Sequence, residues 1–356
     1  MTVQIILGRM RSALRTAAVR RRFFVGGIMK AVSIIIPCYN AAEYLDRCME
    51  HLLLQTIGLE KMEIILVDDA STDDGATLRG MMKYERNYPD HVMVIACEQN
   101  AGPGAARNIG LAYASGDYIA FVDADDIMDV SMLERMHEAM RKYDTDVVEC
   151  SYKTFADGEE IYLEKRDRDY LIRIETPQDR GRFLVNSFKT AVWGRLYRRS
   201  FLHRNSLSFP ENIRYGEDNF FSGLAMLLCG SVYHIGDTLY YYYRNEKGLI
   251  RNNTDNGRIR QLAEVMEQYL LALNDRGFFQ GVMDGYEEEF EWYMIYKYFM
   301  DPVSFIISRQ MQDWKEQVSF FRKALLRFFP DACQNRYLNG DVRWKDYVFL
   351  LKNDII

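Results

Sequence analysis

The stretch VSIIIPCYNAAEYL, residues 32–45, joins a continuous apolar run of strand length to a polar loop and the start of an amphipathic helical pattern. Further apolar runs of strand length follow along the chain: MEIILV, HVMVIA, DYIAFV and DVVECS. Helices are predicted between these runs, at residues 41–55, 74–88, 103–114 and 130–143. Buried strands that alternate with helices predict an α/β fold with a mainly parallel sheet covered on both faces.

Polar loops follow the first four of these strands. They read PCYNAAEYL, VDDASTDDG, CEQNAGPGAARNIG and VDADDIMD. In an open parallel sheet, ligands bind beyond the carboxyl ends of the strands. We therefore expect one edge of the sheet to gather carboxylates, glycines and a guanidinium into a binding site.

The last of these loops carries four aspartates after a buried strand. Packed carboxylates repel one another, so Asp123 and Asp125 need a positive partner, and Mg²⁺ or Mn²⁺ prefers such oxygen ligands. The other interpretation is a helix start, because aspartates favour N-caps and the positive end of the helix dipole. Asp129 is assigned to capping, and Asp126 is left unassigned. The loop alone leaves metal binding and capping open for Asp123 and Asp125.

The other loops favour a nucleotide ligand. A carboxylate such as Asp69 at a strand end can accept a ribose hydroxyl or a base edge, although the same loop also suits a turn that caps the next helix. Gly102 and Gly104 permit close backbone approach, and Arg107 suits phosphate or carboxylate. No dinucleotide GxGxxG fingerprint or Walker P-loop is present in the sequence.

Composition limits the class of protein. The 356 residues are 48% hydrophobic and 27% charged, which indicates a globular chain of one large or two smaller domains. The net charge is −6, and residues 1–30 are basic, so the rest is more acidic still and nucleic acid is excluded as the main partner. Six cysteines without a CxxC pair indicate a reduced, cytoplasmic protein.

Residues 1–30 form a basic N-terminal extension. Its apolar runs are too short for a signal-peptide core, and no segment reaches the ~18 to 20 apolar residues of a transmembrane helix. We interpret the extension as the product of an upstream start codon, with Met29 as the natural start. A basic amphipathic surface anchor is the alternative.

Four motifs together resemble the nucleotide-binding half of glycosyltransferase family 2 enzymes with the GT-A fold: VSIIIPCYNAAEYL, EIILVDDASTDDG, NAGPGAARNIG and YIAFVDADD. Through VWGRLYRRSFL, YGEDNFF and YYYYRNEKGLI the resemblance extends to bacterial exopolysaccharide and capsule transferases. It implies a Rossmann-like, doubly wound sheet with a mostly helical C-terminal extension. The implied divisions are a nucleotide-sugar-binding half at 31–150, an acceptor-binding half at 151–250 and a helical region at 251–356.

The resemblance also implies roles for individual residues. Those implied to contact the nucleotide-sugar are Pro37 and Tyr39 at the nucleobase, Asn40, Glu43, Asp69 at uracil or ribose, Arg107 and Asp123. Asp123 and Asp125 form the family's DxD motif, with Asp125 on the Mg²⁺ or Mn²⁺ that bridges the diphosphate. Asp218 is implied to be the base that deprotonates the acceptor, and Glu217 beside it is assigned to the acceptor.

An acceptor platform is predicted at Trp193 and Arg195, since aromatic faces stack on sugars, although alternating aromatic residues are also typical of a strand in the core. The predicted function is an inverting transfer of a sugar from a nucleotide-diphosphate sugar, here a UDP-sugar, to a glycan or lipid-linked glycan of a surface polysaccharide. A sugar nucleotidyltransferase or a non-catalytic nucleotide-sugar-binding module are the alternatives. The C-terminal helices are expected to pack on the catalytic domain, with peripheral contact on the inner face of the plasma membrane as the alternative.

Overall fold

The computed structural model of the chain describes residues 30–156, 159–163, 168–186, 191–210, 213–244, 256–279, 283–311, 313–339 and 345–353. The predicted basic extension therefore lies outside the described residues, except for Lys30. The chain divides into two compact units. The first takes in Met1–Ile172, Ala191–Asn212 and Cys229–Asn245, and the second takes in Arg173–Thr190, Ile213–Leu228 and Glu246–Ile356. The predicted segment 151–250 is thus shared between both units, and the domain boundaries stay predictions.

The first unit is built on one mixed sheet. Its strands are β1 (Val32–Cys38), β2 (Met62–Asp68), β3 (Val92–Ala96), β4 (Tyr118–Phe121), β5 (Ile127–Met128), β6 (Val147–Ala156), β7 (Glu159–Leu163), β8 (Tyr170–Arg173), β9 (Arg195–Arg198) and β10 (Ser231–Tyr243). Their order is β3-β2-β1-β4-β9-β6-β10-β5, with β7 paired to β6 and β8 to β10. β1 to β4 are parallel, as predicted. β9 is antiparallel to both of its neighbours, so the second half of the sheet is mixed where a mainly parallel sheet was expected.

Strand direction places the polar loops on one edge. Because β9 runs antiparallel to β4 and to β6, β6 runs in the same direction as β4, and β10 is parallel to β6. The carboxyl ends of β1, β2, β4, β6 and β10 therefore share one edge. β1 and β2 are buried along nearly their whole length, since helices cover both faces of the sheet.

Helices of the first unit are α1 (Leu45–Leu53), α2 (Ala76–Asn87), α3 (Pro103–Tyr113), α4 (Met132–Tyr143) and α6 (Arg199–Arg204). Two of them begin later than the periodicity predicts. Asn40 has a φ of 50° before α1, and Asp74 has a φ of 52° before α2, followed by Gly75 at 76°. Asp74 and Gly75 fall within the predicted helix and cannot belong to a right-handed one, so α2 begins after them. Asn40 precedes the predicted start of α1, and residues 41–44 form a turn before that helix begins.

The second unit is helical among its described residues, with α5 (Pro177–Asn186), α7 (Glu217–Leu228), α8 (Asn256–Asn274), α9 (Glu287–Ile295), α10 (Asp301–Ser308), α11 (Trp314–Phe328) and α12 (Lys345–Lys352). Thr176 and Asp179 cap the start of α5. The Asp179 N–H donates to Thr176 Oγ1 at 3.1 Å, and the Thr176 N–H donates to Asp179 Oδ2 at 3.0 Å, which is a reciprocal cap. None of the described helices has the length and apolar character needed to cross a membrane.

Candidate active site

The loops after β1 and β2 are tied together at the polar edge. The Asn40 N–H donates to Ser71 Oγ at 2.9 Å, the Thr72 N–H donates to Asn40 Oδ1 at 2.8 Å, and Asn40 Nδ2 donates to Thr72 Oγ1 at 3.2 Å. Asn40 thus uses its side chain to fix the loops in its strained left-handed conformation. The neighbouring Tyr39 ring stays 48% exposed, so one aromatic face is available to a ligand.

Asp69 joins the second loop to the glycine-containing third loop. Its side chain is 3% exposed, and its two oxygens accept from the Ala101 N–H at 2.9 Å and from the Gly102 N–H at 2.8 Å. Gly102 has a φ of 92°, a conformation that favours glycine. The carboxylate therefore holds the loop that precedes α3. A uracil or ribose group that bonded directly to Asp69 would have to use oxygens that already accept these two backbone hydrogen bonds.

Arg107 of α3 reaches the acidic loop after β4. Its Nη2 lies 2.7 Å from Asp123 Oδ1, the side chain is 3% exposed, and the guanidinium packs 5.3 Å from the centre of the Phe209 ring. Asp123 keeps 26% of its side chain exposed. Arg107 is thus a positive group that compensates the crowded carboxylates, and it lies beside the predicted DxD motif. Its contact with the nucleotide stays a prediction.

The three carboxylates of the acidic turn have different environments. Asp123 and Asp125 are partly exposed, whereas Asp126 is fully buried. Asp126 Oδ2 accepts from Tyr240 Oη at 2.5 Å, and its Oδ1 accepts from the Tyr243 N–H at 2.7 Å. Burial, followed by the charges of Asp125 and Asp123, raises the pKa of Asp126 well above its usual range. Asp126 therefore belongs to the protein interior, and the partly exposed pair is left to face a ligand.

Carboxylate oxygens on one turn are the donor type that Mg²⁺ and Mn²⁺ take, so Asp123 and Asp125 fit such a cation. Across the part of the chain that the structure describes, no group of three or more histidine, cysteine, aspartate or glutamate side chains is arranged to hold a metal ion. A cation bound at this turn would need further oxygen ligands from a phosphate group or water, which is how Mg²⁺ is usually held in phosphate-binding sites.

Asp129, predicted to cap a helix, lies three residues before α4. Its Oδ1 accepts from the Ser131 N–H at 2.9 Å and from Ser131 Oγ at 2.6 Å, while its backbone carbonyl accepts from the Met132 N–H at 3.0 Å. The carboxylate thus stabilises the turn that enters the helix and makes no side-chain bond to the N–H groups of the helix itself.

The residues predicted to bind or deprotonate the acceptor differ in burial and in the element that carries them. Arg195 is 2% exposed and pairs with Glu149 at 2.9 Å, so its guanidinium lies inside the sheet. Arg195 is therefore not proposed to contact the acceptor. Trp193 is partly exposed and stacks on Tyr240 at 4.9 Å, one side chain away from the acidic turn. Glu217, which is 7% exposed, and Asp218, which is partly exposed, open α7 in the second unit.

The remaining predicted contacts lie on the first loop: Pro37 is half-buried at the end of β1, and Glu43 is exposed just before α1. Two residues of this edge were not predicted. Arg47 Nη2 donates to the Asp125 carbonyl at 2.9 Å, and Tyr240 bonds to Asp126. Tyr240 stands in a run of four tyrosines, and Arg47 stands on an amphipathic helix, so no local pattern marks either of them.

One stretch of the chain matches a known family. Residues 33–205, a little under half of the chain, match the model of Glycosyl transferase family 2. These residues are thus a glycosyl transferase family 2 domain. A domain of this family favours glycosyl transfer over the nucleotidyltransferase alternative, for which a basic, glycine-rich loop directly after the first strand would be expected. The loop after β1 reads PCYNAAEYL instead.

Several bacterial glycosyltransferases are similar to this chain. Glycosyltransferase GlyG of Streptococcus pneumoniae serotype 4 is 29% identical over 245 residues, which are 67% of this chain and 78% of GlyG. EpsJ of Bacillus subtilis, named as an uncharacterized glycosyltransferase, is 31% identical over 220 residues, or 61% of this chain and 62% of EpsJ. The chain thus matches less than two thirds of the length of EpsJ.

The crystal structure of Staphylococcus aureus TarS 1–349 in complex with UDP-GlcNAc has the same fold. It aligns with a TM-score of 0.65 over 90% of each chain at 22% sequence identity. The predicted fold class is confirmed: an α/β GT-A-like fold with a helical C-terminal region.

Proposed function

We propose that this glycosyltransferase transfers a hexosyl residue, with inversion, from a UDP-sugar to a glycan or lipid-linked glycan acceptor in the synthesis of a bacterial surface polysaccharide. The observation that carries the proposal is the acidic turn, in which Asp123 and Asp125 stay partly exposed while Arg107 compensates their charge. Family membership supports the reaction class, and the UDP-GlcNAc complex of TarS supports a uridine donor.

The nucleoside is proposed to bind over the first two loops. The exposed face of Tyr39 stacks on the uracil ring, since aromatic side chains favour such contacts. Pro37, Asn40 and Glu43 border the same surface. Asp69 acts on the nucleotide mainly by holding the glycine-containing loop against it through the two backbone bonds described above.

The diphosphate is proposed to bind at the acidic turn with a divalent cation. Asp125 is the direct ligand, and Asp123 contributes beside it while its Oδ1 stays paired with Arg107. A bound Mg²⁺ or Mn²⁺ would supply Lewis acidity that stabilises the negative charge of the departing UDP. Arg107 pairs with Asp123 and orients it, so that the turn presents its carboxylates before the substrate arrives.

Asp218 is proposed to accept the proton of the acceptor hydroxyl. The oxygen of that hydroxyl then forms a bond to the anomeric carbon as the bond from this carbon to the β-phosphate oxygen breaks, which inverts the anomeric centre. A base of this kind typically contributes ~10² to 10⁴ in rate. Asp218 lies in the first turn of α7 and is partly exposed, which supports this role.

The test is a panel of UDP-sugars that includes UDP-GlcNAc, assayed for slow hydrolysis and for transfer with Mn²⁺, with Mg²⁺ and with EDTA. We expect turnover of at least one donor to require the cation. Asp125→Ala should abolish that turnover and leave the circular dichroism spectrum unchanged. Asp129→Asn removes a charge from the same loop but keeps an acceptor for Ser131, so it should retain activity. Full turnover by Asp125→Ala would remove the metal assignment.

A further inference from the structure

Buried contacts behind the acidic turn suggest how the two exposed carboxylates are kept in place. We propose that Tyr240 and Asp126 are positioning residues that fix the turn so that Asp123 and Asp125 bind a divalent cation together with a nucleoside diphosphate. The inference rests on the proposed function, since it names residues that prepare the same site.

From the side of the sheet, β10 holds the turn through Asp126. Both carboxylate oxygens of Asp126 are used, one by Tyr240 Oη and one by the Tyr243 N–H. Tyr240 Oη also accepts from the Asp123 N–H at 3.4 Å, and the Asp126 N–H closes the turn onto the Asp123 carbonyl at 3.1 Å. One tyrosine hydroxyl thus contacts both ends of the Asp123–Asp126 turn.

The Tyr240 ring is itself held rigidly. It is fully buried, and the Trp193 indole stacks on it with an angle of 7° between the ring planes. Trp193 also stacks on Tyr242 at 5.2 Å. The position of the Tyr240 hydroxyl is therefore set by packing, which is what a residue that orients a ligand-binding group requires.

From the other side, α1 and the residues that follow it bind the backbone carbonyls of the acidic loop. Arg47 Nη2 donates to Asp125 at 2.9 Å, Cys48 Sγ to Asp123 at 3.8 Å, His51 Nδ1 to Met128 at 2.9 Å and Gln55 Nε2 to Asp129 at 2.7 Å. The Arg47 guanidinium lies 4.5 Å from the centre of the ring of Tyr243, and the N–H of Tyr243 donates to Asp126. The loop is thus held between α1 and β10.

Stability of the core alone does not account for Asp126. A buried carboxylate near two others carries a large desolvation cost, and an apolar residue would fill the same space without it. The carboxylate instead fixes the orientation of the turn, because it accepts hydrogen bonds from two donors on β10. Groups that orient metal ligands in this way typically change metal affinity 10–100-fold when they are replaced.

The test uses the full chain, with isothermal titration calorimetry of UDP at a series of Mn²⁺ concentrations. Tyr240→Phe removes the hydroxyl and keeps the ring that stacks on Trp193. Each titration gives the apparent affinity for UDP at one Mn²⁺ concentration. We expect the Mn²⁺ concentration at which this affinity reaches half of its saturating value to rise about 10-fold or more. UDP affinity measured in EDTA should be unchanged. A purely structural role would lower the melting temperature without moving the Mn²⁺ dependence.

Tyr84→Phe is the matched control. Tyr84 is 6% exposed and donates to Asp46 Oδ1 at 2.7 Å, so this variant also breaks a tyrosine–aspartate hydrogen bond, here a partly buried one between α2 and α1. It should keep the wild-type Mn²⁺ dependence. Asp126→Asn serves as a second variant, because its amide oxygen still accepts from the Tyr243 N–H, and it should shift the Mn²⁺ dependence in the same direction as Tyr240→Phe.

The outcomes separate this inference from the proposed function. Wild-type protein that binds UDP in a Mn²⁺-dependent way, with both turn variants equal to it, overturns the positioning role alone. Wild-type protein whose UDP binding ignores Mn²⁺ overturns the metal-assisted function and the positioning role with it.

Discussion

Asp123, Asp125 and Asp126 have the same type of side chain and lie in one short turn, but they differ in burial. Asp126 is fully buried with both oxygens bonded inside the protein, while the other two keep contact with solvent. The same distinction applies to Asp69, whose oxygens face backbone N–H groups. At the scale of the residue, the chemistry of a carboxylate at this edge is decided by the partner that its oxygens have.

A second cluster shows why residue identity alone is a weak guide to catalysis. Ser151 Oγ lies 3.3 Å from His234 Nε2, and His234 Nδ1 lies 3.2 Å from Glu149 Oε1. This order matches a serine hydrolase triad. All three residues are at most 3% exposed, and Glu149 is also bound by Arg195, so a substrate has no access and the cluster is a polar network inside the sheet.

Thiol reactivity is a prediction at the residue scale. Burial raises the pKa of Cys38 and of Cys48, and it raises the pKa of Cys97 to about 11. A raised pKa keeps the group protonated, so at pH 8 about one thousandth of Cys97 is the reactive thiolate, and alkylation should speed up as pH rises. Iodoacetamide labelling followed by peptide mass spectrometry should show slow modification of all three in the folded protein and fast modification in guanidinium chloride. Rapid labelling of Cys48 at pH 8 would contradict its buried position.

Elements fit the sequence pattern best where packing and periodicity agree. α3 begins at Pro103, as predicted, and α7 begins at Glu217, because a proline and a first-turn carboxylate both favour helix starts. α2 begins late because Asp74 and Gly75 have left-handed backbones, and α1 begins late because residues 41–44 form a turn before it. The loops before these two helices carry Tyr39, Asn40 and Thr72, so the departures from helical periodicity coincide with the candidate site.

Contact between α3 and β1 gives a prediction at the scale of the element. A Cβ added to Gly110 would overlap Ile35 Cγ2, and Ile35 is fully buried in the centre of β1. Gly110→Ala should therefore destabilise the protein by about 1–3 kcal/mol, as overpacking usually does, and urea denaturation would measure the loss. In Gly80→Ala, a helical control, the new Cβ meets only Leu45 Cδ2 at 3.3 Å, so the change should be closer to neutral. Equal stability of the two variants would argue against close packing of α3 on β1.

For the whole molecule, the proposed roles are divided between the two compact units. The residues proposed to bind the donor belong to the first unit, and the proposed base Asp218 belongs to the second. Donor binding and transfer should therefore be separable by mutation. The helical second unit also shows that a family domain matched over residues 33–205 accounts for only part of the chain.

Asp218→Asn is the prediction at this scale. Transfer should fall by about 10²- to 10⁴-fold, because the amide cannot accept the proton of the acceptor, while the affinity for UDP with Mn²⁺ stays at the wild-type value. Calorimetry and a transfer assay on the same preparation measure the two quantities. Asp301→Asn is the control, since Asp301 is also a first-turn carboxylate of a helix in the second unit. A normal transfer rate in Asp218→Asn would remove it from the base role.

The sequence by itself determined the parallel order of the first strands, the four polar loops at their ends and the family. These follow from local patterns, since apolar runs, turn residues and helix starts act over a few neighbouring positions. Only the tertiary structure decided that Asp126 is internal, that Arg195 pairs with Glu149, and that Arg47 and Tyr240 hold the acidic turn. Asp126 meets Tyr240 across 114 positions of the chain, and no local pattern encodes which distant side chain will satisfy a buried charge.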